Sequence, residues 1–204
     1  MTQSSDSSPN IEIIPIAHAT GILKWDGTVI YLDPTGGEEA FAEQSPGDIT
    51  LVTDIHGDHL NEETLAAVLG TSVLIVPQSV KDELPEALAS RAVVMNNDES
   101  RTEKDFSITA IPMYNLPNSD NKDFHIKGRG NGYLIEKNGF RVYIAGDTAG
   151  TPEMRALKDI NIAFIPMNLP YTMGVEEAAD VVLAFKPHQV YPYHYRSPDG
   201  LADV

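Results

Sequence analysis

His56, Asp58 and His59 fall within four positions of the segment Asp54-Ile55-His56-Gly57-Asp58-His59. Imidazole and carboxylate crowded in this way are costly unless a cation neutralises them, and a divalent metal does so while bringing hydrolytic chemistry. The plainer reading of an isolated His-x-Asp-His is a solvated polar turn ahead of a helix, with Asp58 near its N-terminus. Two further residues bear on the choice. Asp147 ends a strongly apolar run in Ala145-Gly146-Asp147-Thr148, where the glycine allows close backbone approach. His194 ends the run Val190-Tyr191-Pro192-Tyr193. Taken singly, Asp147 also fits a turn or cap and His194 a satisfied edge histidine. Both follow strands at loop positions, as ligands in layered folds commonly do. The chain has no cysteine, so any metal is held by His and carboxylates, and the redox compartment stays open.

These residues need elements to position them. A short buried strand over Ile49 to Thr53 delivers the first cluster, and Asn61 is an N-cap candidate for a helix over Glu62 to Leu69 closed by Gly70. Upstream, Ile11 to Ala17 reads as a strand, and Gly21 to Trp25 pairs with Thr28 to Leu32 across Asp26-Gly27, ending at Asp33-Pro34. Val73 to Val76 and Ala92 to Met95 are apolar strands around a helical stretch, Ser79 to Leu88, that Pro85 interrupts. Phe106 to Ile111 is another strand. Gly132 to Glu136 and Phe140 to Ala145 form a hairpin across Asn138-Gly139 that runs into Gly146-Asp147.

Thr151-Pro152-Glu153 opens a helix, and Ile162 to Ile165 is a strand. In the next helix Val175, Ala178, Ala179, Val182 and Phe185 share a face, and Pro187 bars its continuation. A last strand, Gln189 to Tyr193, delivers His194. This order suits a sandwich of sheets with helices outside.

Composition narrows the function. The 204 residues are 42% hydrophobic, which fits one domain, over residues 11–204, with a sizeable core. The net charge of -16, from 30 acidic against 14 basic residues, repels polyanions and argues against nonspecific nucleic-acid binding. No apolar run approaches the roughly 20 residues of a membrane helix. Residues 1–10 are polar and Ser-rich and read as a disordered tail, a linker, or the scar of a removed signal peptide, which leaves cytoplasm and periplasm both open. Oligomeric state is not legible.

Read together, Thr53-Asp54-Ile55-His56-Gly57-Asp58-His59, Gly146-Asp147-Thr148 and Tyr193-His194-Tyr195 resemble the metallo-β-lactamase superfamily. Its signature is His-x-His-x-Asp-His, followed by a Gly-Asp-Thr turn and a C-terminal His. The resemblance spans almost the whole chain from Ile11, includes Asp33-Pro34, and is closest to small hydrolases similar to L-ascorbate-6-phosphate lactonase. It implies an α/β fold of four layers, an αββα sandwich. Two positions depart from the pattern. The family's first histidine is Asp54 here, an oxygen ligand that would favour Mn2+ or Fe2+ alongside Zn2+. The histidine expected after the middle strand is missing from Pro112-Met113-Tyr114-Asn115, and His125 is nominated as its substitute.

Carried over residue by residue, the resemblance implies one metal position at His56 with Asp54 and His125, and a second at Asp58, His59 and His194, with Asp147 bridging. Asp58 and Asp147 are then the catalytic carboxylates. Such a pair of ions would hold a hydroxide near neutral pH, while a single ion at the second position remains a workable hydrolytic site. Asp33 and His18 are candidates to orient ligand histidines, against a plain turn role for Asp33 before Pro34. Lys127, Arg129, Asn168 and Arg196 are candidates for holding a small, anionic substrate, against the ordinary reading of solvated loop groups. The expected function is hydrolysis of a small ester, lactone or phosphoester. The competing reading is a binding protein on the same fold that has lost turnover through the Asp54 and missing-histidine changes. A nuclease of the same superfamily fits the acidic charge badly.

Overall fold

Side chains alternate between two destinations along the central strands, and this alternation builds the layers. In the computed structural model the described residues are 9–197 and 200–201, the last four (196, 197, 200 and 201) in backbone alone; the tail expected over residues 1–10 falls outside them except for Pro9 and Asn10. Strands β1 (Ile11–Ala17), β2 (Thr20–Trp25), β3 (Thr28–Leu32), β4 (Ile49–Leu51), β5 (Val73–Val76) and β6 (Ala92–Val94) form one sheet in that spatial order. Strands β7 (Ser100–Glu103), β8 (Phe106–Met113), β9 (Gly130–Lys137), β10 (Phe140–Ile144), β11 (Ile162–Pro166) and β12 (Gln189–Tyr193) form the other, again in chain order across the sheet. Each sheet is mixed, with antiparallel pairs in its first half and parallel pairs in its second.

The inner faces meet in one core. Ile30 and Leu32 of β3 and Ile49 and Leu51 of β4 pack toward Phe106, Ile108, Val142, Ile144 and Phe164 of the second sheet. Trp25 packs edge-on against Phe106 and Phe140, with ring centroids 5.0 and 5.6 Å away. Helices α1 (Glu62–Val68), α2 (Gln78–Glu83) and α3 (Glu86–Ala89) cover the outer face of the first sheet through Leu65, Val80 and Leu88. Helices α4 (Pro152–Arg155) and α5 (Val175–Phe185) cover the second through Met154, Ala178, Val181 and Phe185. The αββα order expected from the sequence is the observed one.

Local chemistry explains the element ends. Asp26-Gly27 and Asn138-Gly139 both have positive φ (47° and 83°, 52° and 80°), as a two-residue turn matching the strand twist requires. Asn61 Oδ1 accepts from Thr64 N at 2.8 Å and starts α1; Thr151 Oγ1 accepts from Met154 N and starts α4. The helical stretch expected near Ser79 to Leu88 is split in two at Pro85.

Three expectations need correction. The fourth strand stops at Leu51, because the Thr53 N–H donates to Asp33 and its carbonyl accepts from Asn131 N. On α5 the buried face is Ala178, Val181 and Phe185; Val175 and Ala179 are exposed and Val182 is half-buried. Edge strand β7 has no expected counterpart, because its Ser-Arg-Thr-Glu sequence carries no apolar alternation.

The two sheets should depend on the Trp25–Phe106 contact. Phe106→Ala is expected to lower unfolding free energy by about 3–5 kcal/mol. Urea unfolding followed by fluorescence of Trp25, the one tryptophan, reads this; a loss under about 1 kcal/mol would mean the contact does not hold the layers together.

Candidate metal centre

Most cluster residues follow a strand of the two sheets, and His125 lies in the loop between β8 and β9. Asp33 follows β3, Asp54 to His59 follow β4, Asp147 follows β10, and His194 follows β12. Both sheets therefore contribute to one end of the sandwich. Three of the nearby residues, His18, Asp33 and His194, are non-glycine residues with φ of 41°, 43° and 49°. Side chains rarely adopt this conformation, and it persists only where surroundings enforce it, most often at functional sites.

Asp147 is the centre. It is 2% exposed, its Oδ1 lies 3.2 Å from His59 Nε2 and 3.3 Å from His194 Nε2, and its Oδ2 lies 3.1 Å from His125 Nε2. Asp58 Oδ2 lies 3.0 Å from His194 Nε2 and 3.5 Å from His18 Nε2, with its side chain 42% exposed. The turn that presents Asp147 needs glycine before it: Gly146 has φ 67°, and a Cβ there would collide with Met113 Sδ. Asp147 N donates to that same sulfur, and Gly146 N donates to the Tyr193 hydroxyl at 2.7 Å.

The far nitrogens of the histidines are fixed as well. His59 Nδ1 donates to Asp33 Oδ2 at 2.8 Å, and Asp33 also accepts from Thr53 N and Oγ1, both at 2.7 Å. His125 Nδ1 donates to the Tyr171 carbonyl at 3.1 Å, and the Asn168 amide lies 3.2 Å from His194 Nδ1. With Nδ1 held in this way, His59 and His125 turn Nε2 toward the Asp147 carboxylate. His59 Nε2, His125 Nε2 and Asp147 Oδ1 are buried with no hydrogen-bond partner among the described residues. Such an arrangement is repulsive without a cation, and the donor set of imidazoles and carboxylate fits a divalent metal.

The charges of the metal-free centre show the same demand. Burial opposes charge on His59, yet Asp147 and Asp33 outweigh it and lift its pKa well above the ordinary imidazole value. Burial likewise works against ionised Asp147, but His59 and His194 hold its carboxyl well below the usual range. Asp58 is held low despite burial by its bonds to His18 and His194. Burial pushes the Asp33 carboxyl up, with His59 and Thr53 pulling against it.

The second group, Asp54, His56 and His125, lies alongside: their ligand atoms are within 4.8 Å of one another. Its Asp54 is fully buried and bound in a fork by Arg129, with Nε 3.0 Å from Oδ1 and Nη2 2.7 Å from Oδ2. His56 Nδ1 lies 3.0 Å from Asp54 Oδ2, and burial together with the Arg129 charge lowers its pKa against the pull of Asp54. His125 is brought here by Asn115, whose N–H donates to the His125 carbonyl; the segment that lacks the expected histidine thus anchors the nominated one.

Three expectations for substrate contacts change and a fourth, Arg196, is not tested. Arg129 is spent on Asp54, and Lys127 is paired at the surface with Glu153, because each finds a carboxylate within the fold. Asn168 faces His194 Nδ1 and serves as its support. The Arg196 side chain lies outside the described residues. His18, expected to orient a ligand histidine, contacts Asp58 and packs its ring 3.9 Å from that of His194. Thr53, Met113, Tyr171 and Tyr193 support the centre without having been singled out for it. Hydroxyl, thioether and carbonyl partners carry no sequence signal of their own.

Comparisons with known proteins agree with this fold. Residues 12–194 match the family described as Beta-lactamase superfamily domain. A UPF0173 metal-dependent hydrolase of Thermococcus onnurineus is 30% identical over 176 residues, covering 82% of this chain and 77% of the relative. The crystal structure of a protein of Parabacteroides distasonis, assigned as a metal-dependent hydrolase, is similar with TM-score 0.83 and 36% identity, covering 92% of this chain and 84% of that one. A diiron β-hydroxylase of Streptomyces venezuelae shares the fold at TM-score 0.70 and 20% identity, over 92% of this chain and 45% of its own. With the centre assembled at the end of an αββα sandwich, the chain belongs to the metallo-β-lactamase superfamily and, within it, to the UPF0173 metal-dependent hydrolase family.

Proposed function

We propose that the protein is a metal-dependent hydrolase of a small ester, lactone or phosphoester, working at the Asp147 centre. The observation that carries this reading is a set of buried ligand atoms without hydrogen-bond partners among the described residues: His59 Nε2 and Asp147 Oδ1, 3.2 Å apart, with His125 Nε2 3.1 Å from Asp147 Oδ2. Bound there, a divalent ion would supply Lewis-acid chemistry and lower the pKa of a water for attack. His59, His194 and Asp147 would hold it. Zn2+, Mn2+ and Fe2+ all suit this imidazole and carboxylate set, and the fold is shared with a diiron enzyme.

The chain's own residues do the rest. Asp33 fixes the His59 tautomer, and the Tyr171 carbonyl fixes that of His125. Asp58 is the carboxylate of the centre that reaches solvent; held ionised by His18 and His194, it can accept a hydrogen bond from the attacking water. Because Lys127 and Arg129 are already bound to carboxylates, a neutral ester or lactone is favoured over a phosphoester. The likeness to L-ascorbate-6-phosphate lactonase belongs to this proposal; the relatives carry the broader hydrolase description.

Hydrolysis of aryl esters, γ-lactones and bis-aryl phosphodiesters by Zn2+- and Mn2+-charged protein tests the reading. Turnover is expected that disappears on chelation and in His59→Ala. Metal bound without turnover on any of the three classes would favour the binding-protein reading. Asp33→Asn keeps the shape but weakens the acceptor behind His59, and should lower metal affinity about 10–100-fold; unchanged affinity would remove Asp33 from the support.

The raised pKa of His59 gives a pH prediction. Asp147 and Asp33 favour the protonated imidazole in the metal-free protein, whereas a metal needs it neutral. Zn2+ binding should therefore release about one proton per chain, and affinity should weaken up to about tenfold per unit as pH falls. A weakly buffered titration with a pH indicator reads the release; none at pH 7 would contradict the charge state.

A further inference from the structure

The Asp54 group has a feature that the Asp147 group lacks. Both oxygens of Asp54 are taken by one guanidinium, in a two-point fork at 3.0 and 2.7 Å, and the same Nη2 lies 3.4 Å from His56 Nε2. Asp54 is fully buried and the Arg129 side chain is 18% exposed, so this pair is little screened by solvent. His59 Nε2 and Asp147 Oδ1 of the Asp147 group are buried without a hydrogen-bond partner among the described residues, whereas both oxygens of Asp54 already have their cation, which leaves His125 Nε2 as the unpartnered atom of that group.

Arg129 is built into this place. It lies between Gly128, at φ 90°, and Gly130, where a Cβ would stand 2.8 Å from the Thr53 carbonyl. That closeness brings the start of β9 against the residue preceding Asp54, and Asn131 N donates to the same Thr53 carbonyl at 2.9 Å. The Arg129 carbonyl accepts from Ser79 Oγ at 2.6 Å. Backbone contacts from two sides thus aim the side chain at Asp54. A guanidinium stays charged at any working pH and matches a carboxylate fork in shape.

We infer that Arg129 is a resident cation standing in for a metal at the Asp54–His56 position, so that the protein holds one metal, at the Asp147 group. The inference rests on the metal-dependent reading above. A dication against Asp54 would have to displace the guanidinium or sit beside it, and repulsion between the two is strongest where solvent is excluded. The replacement of the expected histidine by Asp54 then has a physical reason, since an imidazole could not neutralise or fork with Arg129. The guanidinium supplies positive charge next to the metal but no open position for a water ligand.

The test is metal content per chain, by elemental analysis, of protein saturated with Zn2+ and freed of excess. Wild type is expected to hold one equivalent. Arg129→Met, which keeps the stem and removes the charge, should gain a second; Arg129→Lys should stay at one, and Asp54→Ala added to Arg129→Met should return it to one. His56→Ala alone should leave one equivalent, which keeps the inference testable should Arg129→Met not fold. Two equivalents in wild type, a loss on His56→Ala, or one equivalent in folded Arg129→Met would each overturn the inference while leaving metal-dependent hydrolysis standing. No metal in wild type would overturn both.

Discussion

A carboxylate buried to 2% exposure and ringed by imidazole nitrogens within 3.1 to 3.3 Å cannot stand without positive charge between them. Much of the polar structure at this end of the sandwich follows from that constraint. Asp33, Tyr171 and Asn168 hold the outer nitrogens so that the inner ones converge. Met113 and Tyr193 hold the backbone on either side of Gly146 and Asp147. Three residues are kept in left-handed backbone conformation to bring His18, Asp33 and His194 into position, a cost of order 1–3 kcal/mol each that the packed layers must over-determine.

The two halves of the fold share the centre. Asp33 and His59 come from the ends of β3 and β4, while Asp147 and His194 come from β10 and β12 of the facing sheet. The aromatic and aliphatic core between the sheets, centred on Trp25, Phe106 and Phe140, sets the spacing at which these four residues meet. Packing and site assembly are therefore coupled: loosening the layers moves ligands that reside on opposite walls. The Arg129–Asp54 fork ties the same two walls a second time, since Arg129 precedes β9 and Asp54 follows β4.

Elements with a strong local signal were readable from the sequence. Turns at Asp26-Gly27 and Asn138-Gly139, caps at Asn61 and Thr151, and the break at Pro85 all depend on a few adjacent residues. Edge strand β7 is not legible, because an edge needs no apolar stripe, and the buried face of α5 turns on Val181 where the spacing points to Val182. At the site, the residue types of the centre were legible because imidazole and carboxylate at that density have few other uses. Among its supports Asp33 is legible, from the Asp33-Pro34 match to the family pattern, whereas the partners of the nearby cations are not: the pairing of Arg129 with Asp54 spans 75 positions, and that of Lys127 with Glu153 spans 26. A cation near a motif looks the same in sequence whether it awaits a substrate or is already bound to the fold.

The proposed hydrolysis requires a metal ion in the space between His59, His194 and Asp147. Crystals of the Zn2+-loaded protein, with anomalous diffraction recorded on both sides of the zinc absorption edge, test this most directly. A single anomalous peak among His59 Nε2, His194 Nε2 and Asp147 Oδ1 is the predicted result. Absence of a peak there, with those nitrogens and oxygens bridged by water or protons alone, would contradict it.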